Sequence, residues 1–286
     1  MKTNYHTHCT FCDGKESARD MVKKAIEKGF EVLGFSSHSM FPFSTDWHVK
    51  PENHLAYCNE IRSLAKEFEG KIKIQLGFEA DYVRGLCTPR FDRYSDFSPD
   101  FLIGSVHFIT GDGGFTEADD SSQENVRAGI KDFFKDNIKD WVHIYFLLEK
   151  EMLEKGDFTF LGHPDLIRKQ NNPKYNTPLF DENATWYREE LRELAKACKK
   201  AGICVEINMG GMARGYLNTP YPSLELLSLL QEQNVPVTVN SDAHQSEYLD
   251  FAFDFALEYA KKAGYTELCF VKEGHFQFQK IDLFRT

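Results

Sequence analysis

A chain of 286 residues with 42% hydrophobic content can build a sizeable core, and its length suits one α/β barrel domain over 1–286. No stretch approaches the roughly 20 apolar residues that span a bilayer, and the N-terminus has no apolar run of the signal-peptide kind, so a cytoplasmic protein without membrane contact is expected. A formal charge of −10 argues against nucleic acid as the partner, although bound cations would reverse that sign within a pocket.

The first predicted strand, 3–7, ends in His6-Thr7-His8. A helix over 17–28 follows, stopped by Gly29, and a strand over 31–36 runs into Ser37-His38-Ser39. After an aromatic loop that includes Phe43, Trp47 and His48, Pro51 opens a helix over 51–68. The strand over 71–78 ends at Glu79, and the strand over 101–106 at His107. One long helix is expected over 124–154, then a strand over 158–162 leading to His163-Pro164-Asp165 and, shortly after, Arg168. A helix over 182–201, stopped by Gly202, precedes a strand over 203–208 that offers Glu206 and Asn208, with Arg214 beyond it. Pro222 is read as the first turn of a helix over 223–232. The strand over 236–241 ends in Ser241-Asp242-Ala243-His244, a helix over 247–262 is stopped by Gly264, and Phe270 marks a further short strand.

Strand and helix alternating about seven times call for a parallel sheet with helices outside. Nearly every strand delivers a potential metal ligand at the same end. In a closed α/β barrel those ends meet on one face, whereas an open sheet would spread them along a line. His6 and His8, like Asp242 and His244, are two apart, so both side chains of each pair leave a strand on one face. His48, His54, His143 and His275 lack this placement and read as structural or exposed. The seven cysteines are odd in number and dispersed, which reads as reduced thiols; the lone Cys9-x-x-Cys12 has no second pair to complete a zinc site.

Six imidazoles with Asp13, Glu79 and Asp242 exceed what one tetrahedral ion takes and fit two or three ions with bridging groups, and they suit borderline cations such as zinc, iron or manganese. Three dications and three carboxylates would leave a net charge of about +3, which a phosphate monoester and a hydroxide would balance. A phosphoesterase fits that field. Arg168 and Arg214 are the candidates for bidentate phosphate contacts.

Taken in order, His6-Thr7-His8, Ser37-His38-Ser39, Glu79 after Gly77-Phe78, His107, Gly162-His163-Pro164 and Ser241-Asp242-Ala243-His244 resemble the motifs of the polymerase and histidinol phosphatase (PHP) family. The resemblance implies a distorted (β/α)7 barrel holding three divalent ions. His6, His8, Glu79 and Asp242 would hold one; Glu79, His107 and His163 a second; Asp13, His38 and His244 the third, although many relatives carry a histidine where Asp13 stands. Within the family the chain is most similar to the monofunctional histidinol-phosphate phosphatases of histidine biosynthesis, through Phe11-Cys12-Asp13-Gly14 and the Glu206-Ile207-Asn208 strand followed by an arginine and Tyr221-Pro222. That implies hydrolysis of histidinol phosphate by a metal-bridging hydroxide, with Glu79 bridging two ions and Asp242 or His244 giving the leaving alcohol its proton. Asp165, Glu206, Phe43 and Trp47 are available to line a rim for the substrate's amine and imidazole. Other readings are a nucleotide-directed PHP phosphoesterase, a metal-dependent amidohydrolase and a non-catalytic metal-binding protein. Oligomeric state is left open.

Overall fold

The computed structural model describes residues 1–286 except 176, 273, 285 and 286. Its strands are β1 (Thr3–Asn4), β2 (Val32–Phe35), β3 (His38–Ser39), β4 (Lys73–Asp81), β5 (Phe101–Ser105), β6 (Phe108–Gly111), β7 (Gly114–Glu117), β8 (Phe160–Leu161), β9 (Cys204–Asn208), β10 (Val237–Asn240), β11 (Glu267–Lys272) and β12 (His275–Lys280). Seven of them pair in the order β1-β2-β4-β5-β8-β9-β10, all parallel, and β3 pairs beside the far half of β4. The last strand returns to the first. Thr7 and Ala243 form a parallel bridge, and His8 N–H donates to the Ala243 carbonyl at 2.9 Å, giving a near-closed α/β barrel as the strand-end pattern requires.

The barrel interior is layered. Tyr5, Val32, Phe101, Ile103, Phe160 and Cys204 form a dry plug at the N-terminal ends of the strands. Gly34 and Gly77 make room for it, since a Cβ on either would lie 2.7 or 2.5 Å from the Phe101 ring. The antiparallel pair β11–β12 closes this end through Cys269 and Val271, and the Tyr5 hydroxyl accepts from Val271 N–H at 2.9 Å. With one mouth plugged by aromatic side chains, the polar strand ends are confined to the other.

Among the helices, α1 (Ala18–Glu27), α2 (His54–Glu67), α5 (Thr185–Ala201), α7 (Leu224–Glu232) and α8 (Phe253–Lys262) fall within the expected spans, whereas the four-residue α6 (Gly210–Ala213) beyond β9 lies outside all of them. Three expectations need correction. The single helix over 124–154 is two, α3 (Gln123–Phe134) and α4 (Ile138–Lys155), broken where Lys135 and Asp136 adopt φ of 55° and 62° and Asn137 caps the second by accepting from Asp140 N–H. Pro222 stands outside its helix, which Ser223 opens by accepting from Leu226 N–H. The β6–β7 hairpin was not expected at all, although Asp112-Gly113 sits at its turn. No helix among the described residues is long and apolar enough to cross a membrane.

Candidate metal centre

All nine expected metal-binding side chains meet at the C-terminal mouth of the barrel. Glu79 lies at their centre, buried, on the inner face of β4. Its Oε2 is 3.0 Å from His6 Nε2, 3.5 Å from His8 Nε2 and 2.8 Å from His38 Nδ1. Its Oε1 is 2.9 Å from His163 Nε2 and 3.3 Å from His107 Nε2. On one side Asp242 Oδ1 lies 3.2 Å from His8 Nε2 and 3.7 Å from His6 Nε2. Beyond it, Asp13 reaches His244 Nε2 at 3.1 Å and His38 Nε2 at 3.7 Å. Asp13 is therefore part of the cluster rather than an isolated turn residue.

These contacts resolve into overlapping groups whose ligand atoms lie within 4.8 Å of one another: His8, Asp13, His38 and His244; His6, His163 and Asp242; His6, His8 and Glu79; His38, Glu79 and His107. The donor chemistry fits divalent cations. Although oppositely charged partners lie close, His8 Nε2, His38 Nδ1 and Asp13 Oδ1 are buried and make no hydrogen bond of good geometry among the described residues. Buried polar atoms are rarely left so, and three aimed at one small volume suit shared ligation.

The electrostatics agree. Burial alone would raise the Glu79 and Asp242 carboxyls, but His38 and His6 around Glu79, and Arg214 and His6 around Asp242, outweigh it and hold both well below the usual range. Burial would lower His107, yet Asp81 and Glu79 lift it to about 10, so a proton and a cation compete for the same Nε2 lone pair.

Behind the cluster, carboxylates orient the rings. Glu206 is a hub: its oxygens contact His6 Nδ1 at 2.9 and 3.1 Å and accept from His163 N–H at 2.9 Å, Asn208 Nδ2 at 2.7 Å and Asn240 Nδ2 at 2.8 Å. Asp81 holds His107 Nδ1 in the same way. A ring fixed at Nδ1 by a carboxylate presents Nε2 to a cation. Sequence reasoning did not single out Asp81, though it lies two residues from Glu79 on one strand face, the spacing that drew attention to His6 and His8.

The cluster opens into a cavity of about 420 Å³. Lys15, Lys169 and Arg214 line it with positive charge, Glu117, Asp119 and Asp120 with negative charge, and Trp47 with an aromatic face. Arg214 Nη2 donates to Asp242 Oδ2 at 2.8 Å and Nη1 to the Asp242 carbonyl at 3.0 Å. Arg168 is not there, and its expected phosphate role is corrected. Its guanidinium is spent on Glu182 Oε2 at 2.9 Å, the Pro220 carbonyl at 3.0 Å and Thr219 Oγ1 at 2.8 Å. Its neighbour Lys169 reaches the cavity instead. Of the expected rim, only Trp47 lines the cavity; Asp165 and Glu206 are fully buried beside it, and Phe43 is an exposed loop side chain.

The PHP domain profile matches residues 4–210. The chain belongs to the PHP family. A histidinol-phosphatase from Lactococcus lactis is 28% identical over 287 residues, covering 98% of this chain and 96% of the relative. Among solved PHP-type barrels, a candidate histidinol phosphatase from Listeria monocytogenes superposes with a TM-score of 0.77 at 23% identity, over 89% of this chain and 99% of its own. The structure of a histidinol phosphate phosphatase from Lactococcus lactis complexed with zinc, L-histidinol and phosphate gives 0.71 at 23% identity, over 96% and 98%. The expected barrel class matches these folds.

Proposed function

We propose that this PHP-family chain, read as one barrel domain over 1–286, is a metal-dependent phosphomonoesterase that hydrolyses L-histidinol phosphate to L-histidinol and phosphate in histidine biosynthesis. One observation carries the reading: six imidazoles and three carboxylates, Glu79 at their centre, meet from the ends of six strands at the floor of one cavity. The names of the relatives over nearly the whole chain support the substrate.

In this reading His6, His8, Glu79 and Asp242 hold one divalent ion, Glu79, His107 and His163 a second, and Asp13, His38 and His244 a third, as zinc, iron or manganese. When bound, such ions supply Lewis acidity to the phosphoryl oxygens and an activated water. The chain's own residues do the rest. Arg214, held by Asp242, faces the cavity as the phosphate contact, and Lys15 and Lys169 add positive potential. Glu117, Asp119 and Asp120 form an acidic wall suited to the amine and imidazole of histidinol. Of the two expected proton donors, Asp242 has Oδ2 engaged by Arg214 and Oδ1 by His8, which favours His244. His244 donates only while Nε2 carries a proton instead of a cation, so ligand and acid are alternative roles for that ring.

The test is phosphate release from histidinol phosphate beside a panel of other monoesters and nucleotides, with elemental analysis of the same sample. About three divalent ions per chain and a preference above roughly tenfold, about 1.4 kcal/mol, are expected. A smaller preference favours a broader PHP phosphoesterase, and bound metal without turnover on any ester favours a non-catalytic metal protein.

A further inference from the structure

His48 was left outside the candidate site by sequence, yet the structure buries it against the metal centre. Thr45 N–H donates to His48 Nδ1 at 3.1 Å, and the Thr45 hydroxyl lies 2.6 Å from the same nitrogen. A nitrogen that accepts from a backbone amide carries a lone pair, so the ring proton of His48 sits on Nε2. That Nε2 meets Asp81 Oδ2 at 2.5 Å, and the other oxygen of Asp81 meets His107 Nδ1 at 2.5 Å. Asp81 thus accepts from both rings, so a neutral His107 carries its lone pair on Nε2, 3.3 Å from Glu79 Oε1. One backbone amide in the loop fixes the direction of the His48–Asp81 bond, and the His107–Asp81 bond follows because an ionised Asp81 can only accept.

The same loop carries Trp47, whose ring stacks on His48 at 3.7 Å between centroids and stands edge-on to His38 at 4.8 Å and His107 at 5.3 Å. Lys50 Nζ donates to the Thr45 carbonyl at 2.8 Å and fastens the loop.

We infer that His48 and Asp81 are positioning residues: the chain Thr45–His48–Asp81–His107 sets the tautomer of His107 and ties the Trp47 wall of the cavity to the metal centre. The inference rests on the metal reading above for the role of His107. Its deciding readouts are zinc affinity and ring tautomers, which need no substrate, so it can fail while the substrate assignment stands, and the reverse.

Long-range proton–nitrogen spectra of the zinc-loaded, histidine-labelled wild-type protein should show His48 protonated on Nε2 and His107 on Nδ1. In Asp81→Asn the amide must point N–H at one of the two rings, so zinc bound through His107 should weaken by about tenfold to a hundredfold. His48→Ala should weaken zinc less and raise KM more than it lowers kcat, because Trp47 loses the ring it stacks on. His48→Gln, whose side chain can accept from Thr45 and donate to Asp81, should restore most of both. His48 protonated on Nδ1 in wild type, or zinc affinity within twofold of wild type in both Asp81→Asn and His48→Ala, would overturn the inference.

Discussion

Replacing Glu206 with glutamine tests how much of the site depends on groups that never touch substrate. The substitution keeps size and shape and converts one acceptor oxygen into a donor. If the amide nitrogen takes the Oε1 position, it confronts His163 N–H and Asn208 Nδ2; in the Oε2 position it confronts His6 Nδ1 and Asn240 Nδ2. The asparagines cannot accommodate by turning round. Asn208 Oδ1 already accepts from Gly210 N–H at 2.8 Å, and Asn240 Oδ1 from Tyr5 N–H at 2.9 Å. Two buried donors are orphaned either way. At about 1–3 kcal/mol for each, the variant should lose about 2–6 kcal/mol, a large share of the roughly 5–15 kcal/mol that holds a typical protein folded. Urea unfolding of chelator-treated protein should show a lower midpoint with an unchanged slope. Zinc titration should show binding about tenfold to a hundredfold weaker, because either His6 Nδ1 or the His163 backbone loses its acceptor. A change under about 0.5 kcal/mol, the scatter of ordinary surface substitutions, with unaltered zinc affinity would refute this account of Glu206.

The two arginines should separate cleanly. Arg214→Ala should lower kcat/KM on a phosphate ester by about tenfold to a hundredfold, from the loss of charge-assisted bonds of about 1.5–3 kcal/mol, and steady-state kinetics with an unchanged ratio would sink the assignment. Arg168→Ala should leave turnover per folded molecule near wild type but destabilise the fold by about 3–5 kcal/mol, because Glu182 and the buried Asp165 lose their partner; a denaturation midpoint near wild type would contradict this. In cation-free protein, burial opposes but does not overcome the carboxylates that raise His6, His38 and His107, the last to about 10. Groups whose folded pKa lies above the unfolded 6.5 stabilise below that pH and lose the contribution as pH climbs towards 10. Melting temperature with chelator should therefore fall between about pH 6.5 and 10, whereas zinc affinity should rise over the same interval because it needs the bare imidazole. A flat or rising melting curve with chelator would refute the sign.

The mouth of the barrel was legible because a parallel strand imposes its own order: residues at matching strand ends must converge, and a two-residue spacing puts side chains on one face. That is why His6, His8, Glu79 and Asp242 could be placed from sequence. What surrounds them was not, for identifiable reasons. Arg168 follows His163 closely enough to suggest the cavity, but its direction is set by Glu182 and the Thr219–Pro220 turn, groups whose approach depends on tertiary packing. Glu206 was visible only as a strand-end carboxylate; its four donors come from three other segments and from Asn208 on its own strand. The break between α3 and α4 falls at Lys135 and Asp136, a pair with neither glycine nor proline to mark a left-handed turn. The acidic wall of Glu117, Asp119 and Asp120 starts on the second strand of a hairpin whose Asp112-Gly113 signal was present and unread.

Anomalous diffraction at the zinc edge from crystals of the zinc-loaded protein addresses the ligation of the nine side chains most directly. Three peaks should lie at the barrel mouth, with Glu79 between two of them and His or carboxylate atoms at about 2.0–2.2 Å. Peaks away from this cavity, or a barrel mouth without anomalous signal in protein that retains zinc, would contradict the account.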